Sequence, residues 1–320
     1  MSTYFITGGL GFLGQYIVKA LHDHDPQSAL RVLVRTPRQT FLNIESLERV
    51  HLRRGELTRP ETFAAELAGV DTVIHNAALV SFKPEDADAL YRSNVIGTQR
   101  LIEAALANGC KSFIYISSIS TIGRKAGHLA DESLLPDLEE KHQHDPYGYS
   151  KRLGEIEVQK YAEQIRVITL NPSVIIGPGS RRIEKSLQYL RWLPFLPMIP
   201  TINSFVDVRD VAKAVVLALR HGQSGNRYIV TNCNVEMPAF ARIALQSAGL
   251  KRPVLIVPPA AIRLADSVIA LLTRLRLNPG TRSLSSINVD KAYSTEKIRR
   301  DMGWAPDYSL EQSLTDTLAS

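Results

Sequence analysis

Tyr147-Gly-Tyr-Ser-Lys151 sets a phenol and an ammonium four residues apart. On a helix that spacing stacks both side chains on one face. Asp145-Pro146, just upstream, is a good N-cap and first-turn pair, so the pattern predicts a helix over 145–164. A tyrosine hydroxyl titrates near pH 10 in isolation, at about 10. An adjacent ammonium is expected to lower that value toward working pH, which would make Tyr147 a usable general acid or base. The spacing alone is weakly specific, because eleven tyrosines and twelve lysines in 320 residues make a chance copy unsurprising. A second copy does occur, at Tyr293 and Lys297, beside Glu296, Arg299 and Arg300. It follows no core strand and reads as a solvated helix. Tyr147 differs by its context. Residues 113–118, FIYISS, are an apolar run ending in two serines about thirty residues upstream. In a parallel α/β sheet the C-terminal end of a strand faces the ligand crevice. A serine hydroxyl there can donate to a substrate carbonyl oxygen while Tyr147 moves the proton. The plainer reading of such a serine is a cap on the next turn.

A second chemical signal lies at the start of the chain. Residues 7–14 read TGGLGFLG, directly after the apolar run Tyr4-Phe5-Ile6 and before Phe12, Leu13, Ile17, Val18 and Leu21 at helical spacing. Strand, glycine-rich turn and helix in that order let backbone N–H groups approach a pyrophosphate at the positive end of a helix. Glycines at 8, 11 and 14 remove the Cβ atoms that would block the approach. The spacing is G-x-x-G-x-x-G and departs from the standard G-x-G-x-x-G fingerprint, and a packing turn is the bland alternative.

These groups need a scaffold. Apolar runs rich in Val and Ile at 30–35, 50–53, 72–75, 113–117 and 165–170 alternate with helical patterns at 60–67, 86–108 and 145–164. That alternation predicts an α/β fold, a Rossmann-type doubly wound parallel sheet with helices on both faces. Right-handed crossovers then bring every strand's C-terminal end, and any ligand, to one edge. After Pro172 the pattern becomes irregular and proline-rich. The expected division is a dinucleotide-binding domain over 1–171 and a smaller substrate domain over 172–320, with 204–230 returning to the first.

Composition narrows the class. The chain is 44% hydrophobic and 22% charged, as globular proteins are. Two cysteines, Cys110 and Cys233, argue for a reducing compartment, and a cytoplasmic location is expected. The first strand begins at the N-terminus without a signal-peptide pattern, and charges interrupt every long apolar stretch. The net charge of +6 is uneven, with ten Lys/Arg against three Asp/Glu in 251–300. A solvated helix face explains this best, and a peripheral membrane contact through 251–300 is the sharper alternative. No nucleic-acid recognition motif is present, nor is a metal-ligand cluster expected.

The chain resembles the extended short-chain dehydrogenases/reductases of the NAD-dependent epimerase/dehydratase superfamily. The resemblance spans nearly the whole length through TGGLGFLG (7–14), IHNAA (74–78), NVIGT (94–98), YISSIS (115–120), YGYSK (147–151), NPSVIIGPG (171–179) and FVDVRDVA (205–212), in the family's order and spacing. It implies Ser118, Tyr147 and Lys151 as catalytic residues, with Lys151 also holding the nicotinamide ribose. It implies cofactor contacts at Gly8, Gly11, Phe12, Leu13, Gly14, Asn76, Ala77, Ala78, Pro172 and Val174, and a homodimer paired through helices like 86–108 and 145–164. The family's NAD users often carry an acid at the end of the second strand. Here Arg35 stands there, with Arg38 close behind, and an arginine can pair with a 2′-phosphate. NADP is therefore expected, with NAD as the alternative. Gly55-Glu56-Leu57 replaces the family's usual Gly-Asp-Leu, and Glu56 with Leu57 would face the adenine.

The late pattern at 293–314 resembles the 3-beta-hydroxysteroid dehydrogenase and dihydroflavonol reductase branch. Residues 189–199 (YLRWLPFLPMI) are dense with large apolar side chains, either a greasy lid or domain core. The expected activity is hydride transfer between nicotinamide and a carbonyl/hydroxyl group of a largely apolar, steroid-, flavanone- or 3-keto-acid-like substrate. One alternative is a sugar-nucleotide epimerase or dehydratase with tightly bound NAD, its diphosphate clamped by Arg181, Arg182 or Arg209. The other is a non-enzymatic dinucleotide-sensing module, for which an intact Ser118/Tyr147/Lys151 set has no use.

Overall fold

The short apolar runs become strands, buried on both faces in the middle of the sheet and partly exposed at 50–54 on its edge. They are β1 (Thr3–Thr7), β2 (Ala29–Val34), β3 (Val50–Arg54), β4 (Thr72–His75), β5 (Ser112–Ile116) and β6 (Arg166–Pro172). The computed structural model describes residues 2–124, 128–181, 183–185, 192–258, 260–265, 267 and 290–320. Arg182, residues 189–191 of the apolar 189–199 stretch, and 259, 266 and 268–289 of the basic stretch lie outside the described residues. Three further short strands are β7 (Val174–Ile176), β8 (Leu196–Met198) and β9 (Ile202–Asp207). After them come β10 (Asn226–Val230), β11 (Cys233–Glu236) and β12 (Val254–Ile256). The large sheet runs β10-β6-β5-β4-β1-β2-β3, and every pairing in it is parallel. Strand order reverses between β1 and β4. A doubly wound sheet opens its ligand crevice at such a point.

Helix α1 (Phe12–His24) follows the glycine turn and buries Leu13, Ile17, Val18 and Leu21 on one face of the sheet. The stretch 86–108, expected as one helix, is three pieces: α2 (Ala87–Tyr91), a π turn (Arg92–Ile96) and α3 (Gly97–Ala107). The wider turn buries Asn94, a polar residue that a regular helix would not single out. The expected helix at 60–67 is two 3₁₀ turns, Pro60–Thr62 and Ala64–Leu67. Pro60 at the first position starts the one, and Leu67 is the buried residue that anchors the other. After α4 (Leu138–His144), α5 (Pro146–Gln159) begins where Asp145 accepts the Gly148 N–H at 2.9 Å and ends five residues before the expected limit.

Beyond Pro172 the chain leaves the sheet and returns. Helix α6 (Val208–His221) packs in the same cluster as α1, and β10 pairs with β6. The intervening and later segments form a three-stranded sheet β11-β9-β7, a two-stranded sheet β12-β8 and α7 (Met237–Ser247). Helices α8 (Glu296–Met302) and α9 (Leu310–Ala319) close the chain. Leu196 is buried against Ala241 and Leu245, so that residue of the apolar stretch is core, whereas Trp192, Leu193 and Phe195 are exposed. Tyr293 lies ahead of α8 and is 3% exposed, bonded through its backbone to Asn234. The second Y-x-x-x-K is therefore not a solvated helix. Its tyrosine is an anchor of the late segment.

Candidate active site

The glycine turn closes tightly on β4. Gly8 has φ +69°, and a Cβ there would sit 2.7 Å from the Ala77 nitrogen. At Gly14 a Cβ would drive into the Gly8 carbonyl oxygen. Gly11 precedes α1 in an extended conformation with no side-chain cap, and no acid lies in the helix's first turn. The N–H groups around Phe12 and Leu13 thus have no side-chain partner at the cap, the arrangement that receives a phosphate. Asn76 Nδ2 donates to the Gly8 carbonyl at 3.2 Å, and the Ala77 N–H donates to Thr7 Oγ1 at 3.1 Å. These contacts bring Gly8, Gly11, Gly14, Asn76, Ala77 and the following Ala78 together at the switch point.

Arg35 is exposed one residue past β2, and Arg38 Nη2 donates to the Leu10 carbonyl of the glycine turn at 3.0 Å. Exposed Glu56 accepts from Thr58 Oγ1 at 2.9 Å, while Leu57 packs where Gly97 leaves room, its Cβ 3.2 Å from the position of a Gly97 Cβ. Pro172 ends β6 and Val174, 37% exposed, begins β7. The end of β6 runs beside the end of β5, where the Ser117 N–H donates to the Leu170 carbonyl at 2.7 Å.

Ser118 follows β5 and caps a short turn, its Oγ accepting the Ser120 N–H at 3.2 Å. That hydroxyl also lies near enough to the Tyr147 hydroxyl to draw the phenol's pKa down. Ser117, the neighbour, is instead buried with its Oγ unpartnered. Phe82 meets the Tyr147 ring edge-on at 5.6 Å, and exposed Leu79 and Val80 precede it. Lys151 is 1% exposed. Its Nζ donates to the Ile116 carbonyl at 2.8 Å and stands 4.1 Å above the Tyr115 ring.

The electrostatics correct one expectation. Burial pushes the Tyr147 phenol up to about 12; the Ser118 hydroxyl lowers it, and Asp145 adds a smaller upward push. The Lys151 ammonium is held by the Ile116 carbonyl and over the Tyr115 ring. Burial also draws Lys151 down to about 7, with Glu155 opposing. In the protein as it stands Tyr147 is a protonated phenol throughout the neutral range.

Several residues of this site escaped sequence reasoning. Asn94 donates to Ser150 Oγ at 3.0 Å and clamps the Leu79 backbone through both ends of its amide. Ser150 in turn donates to the Tyr147 carbonyl at 2.8 Å. Buried His75 bridges Thr7 Oγ1 at 2.7 Å and Thr98 Oγ1 at 2.9 Å, and Thr98 donates to the Asn94 carbonyl at 2.7 Å. One polar chain thus joins the glycine turn to the Tyr147 helix. Its sequence trace is the presence of His75, Asn94 and Thr98 within the IHNAA and NVIGT motifs, which do not by themselves show that the three connect.

Residues 4–233 match the NAD dependent epimerase/dehydratase family. The chain belongs to that family. Members similar to it over their full length include a Synechocystis sp. protein carrying a dihydroflavonol 4-reductase name, 30% identical over 98% of this chain and 93% of its own. Human 3 beta-hydroxysteroid dehydrogenase type 7 is 29% identical over 98% and 94% of the two chains. Among solved structures, that of gox2253 covers 100% of this chain and 97% of its own, at 29% identity and a TM-score of 0.86. As a member of this epimerase/dehydratase family the chain is an NAD(P)-dependent oxidoreductase. Its own residues fit the cofactor: the glycine cradle admits no side chain, and no acid opposes a pyrophosphate at the start of α1. Among the described residues no cluster could hold a metal ion, and no helix is long and apolar enough to cross a membrane.

Proposed function

We propose that the chain is an NADP-dependent reductase of a ketone carried on a largely apolar substrate. The observation that carries this reading is the neighbouring hydroxyls of Ser118 and Tyr147, with the Phe82 ring edge-on to Tyr147 at 5.6 Å. Two hydroxyls converging on one point suit a carbonyl oxygen, and the hydrocarbon beside them suits an apolar frame. A bound nicotinamide supplies the hydride that reduces the carbonyl carbon. Tyr147 holds the proton for the oxygen, since its phenol stays protonated well above neutral pH. Ser118 donates a second hydrogen bond to that oxygen as charge develops on it. Lys151 is fixed by the Ile116 carbonyl, and its remaining N–H groups would reach the ribose hydroxyls. Burial opposes the phenolate that alcohol oxidation requires, which supports the reductive direction.

The cofactor preference rests on Arg35 and Arg38. A 2′-phosphate placed beyond β2 would meet two guanidinium groups and no carboxylate in residues 35–40. Arg35→Ala is expected to weaken NADPH binding about ten- to a hundredfold, the range of a lost charge-assisted hydrogen bond. NADH should change little. Fluorescence titrations with both nucleotides check this, and equal losses for the two would remove Arg35 from 2′-phosphate recognition.

One observation weighs against a sugar-nucleotide substrate. Arg209, a candidate diphosphate clamp, is committed to Asp207 and Asp316 at 2.8 Å each and lies 3.4 Å over the Tyr308 ring. The deciding measurement is thermal stabilisation followed by NADPH oxidation with steroids, flavanones, 3-keto acids and UDP-sugars. Turnover of an apolar ketone is expected. Stabilisation by UDP-sugars alone, with NAD copurifying, would replace this reading with the epimerase one.

A further inference from the structure

We propose that Glu155 is a positioning residue of the site: its buried carboxylate locks the Ser118 turn to the helix of Tyr147 and Lys151 and is the counter-charge that keeps Lys151 an ammonium. The inference rests on Lys151 being a cofactor contact. Glu155 lies one helical turn past Lys151 on the same face of α5 and is 3% exposed. A carboxylate this buried is costly unless paired and fully hydrogen-bonded. Glu155 is both.

Oε1 accepts Thr121 Oγ1 at 2.6 Å and Asn171 Nδ2 at 2.6 Å. Oε2 pairs with Arg152 at 2.8 Å and with Arg227 at 3.2 Å. Asn171 Nδ2 also reaches the Ser118 carbonyl at 3.2 Å, and Arg227 Nη2 holds the Thr121 carbonyl at 2.8 Å. One carboxylate therefore ties α5, the turn after β5, the end of β6 and the start of β10. The Ser118 hydroxyl is set against Tyr147 by this knot, although Glu155 approaches neither.

The surroundings of Lys151 assign the second role. Below its Nζ lies the Tyr115 ring, and burial keeps that phenol protonated. His75 stacks on Tyr115 at 5.5 Å, and burial with the nearby Lys151 charge holds the imidazole neutral, down to about 3. Tyr147 is a neutral phenol. Arg152 and Arg227 face Glu155 from α5 and β10, with Glu132 beyond Arg227. Glu155, one turn along the same helix, is an anion whose charge opposes the loss of the Lys151 proton.

The test is the NADPH dissociation constant as a function of pH, for the wild-type chain, Lys151→Met and Glu155→Gln. Glutamine keeps acceptors for Thr121 and Asn171 and removes the charge. Wild-type affinity should fall as Lys151 loses its proton with rising pH, and Lys151→Met should abolish that limb. Loss of an adjacent anion lowers an ammonium's pKa by about one unit or more. Glu155→Gln should therefore move the limb down by that much, giving about fivefold or more weaker binding at neutral pH, about tenfold or more at alkaline pH, and near-equal binding in mild acid. If Glu155→Gln does not fold because it strands two guanidinium groups, Glu155→Gln/Arg152→Gln restores the net charge of the cluster and reads the same limb. A limb at its wild-type pH, or a loss equal at every pH, overturns the role of Glu155. A wild-type limb that survives Lys151→Met overturns instead the cofactor role of Lys151 on which the inference rests.

Discussion

Tyr147→Phe is expected to yield a folded protein that binds NADPH with unchanged affinity and reduces its substrate about a hundred- to ten-thousandfold more slowly, the range ascribed to a positioned proton donor. The ring keeps its edge contact with Phe82, and the helix keeps its Asp145 cap and its Ser150 bond to the backbone carbonyl. Only the hydroxyl opposite Ser118 is lost. Stopped-flow turnover and nucleotide titration separate the two effects. Turnover within about threefold of wild type would show that another group delivers the proton, since such a loss is far below that range. In the active protein, reduction should persist to mildly alkaline pH so far as Tyr147 governs it, because its phenol titrates only at about 12.

Gly14→Val is expected to abolish measurable cofactor binding and to destabilise the fold. A side chain at that position has nowhere to go, because its Cβ would strike the Gly8 carbonyl oxygen and lie 2.7 Å from Gly9 Cα. These are backbone atoms and cannot rotate aside. The turn must open, which moves the first N–H groups of α1 away from the phosphate position. Overpacking of this kind costs about 1–3 kcal/mol. Urea unfolding measures the stability loss and nucleotide titration the binding loss. Binding at wild-type affinity would mean that the pyrophosphate does not use this turn.

Much of this was legible from the chain alone. Val- and Ile-rich runs announce buried parallel strands, and Asp145-Pro146 announces the start of the helix that carries Tyr147 and Lys151. Family motifs imply Ser118 rather than Ser117 as the partner of the tyrosine; in the structure the Ser118 hydroxyl acts on the Tyr147 phenol, while that of Ser117 is buried. What stayed hidden depends on contacts between residues distant in sequence. The π turn around Asn94 has no propensity signal, because a single wide turn is selected by what its buried amide can reach. The acidity of Tyr147 was misjudged for a similar reason. Spacing predicts that a lysine shares the helix face, but not that its ammonium is drawn to a carbonyl at the end of β5. The setting of the glutamate one turn further depends on Asn171 and Arg227, which reach it from distant parts of the chain.

The position of β10 at the border of the large sheet has a consequence for biosynthesis. Its partner β6 is complete by Pro172, yet the strand that covers it starts only at Asn226. While the ribosome makes the residues between, one flank of β6 presents unpaired N–H and C=O groups, a template for association with other nascent chains. Fragments ending shortly before Asn226 should accordingly be prone to aggregate, whereas those extending past Val230 would carry a finished border.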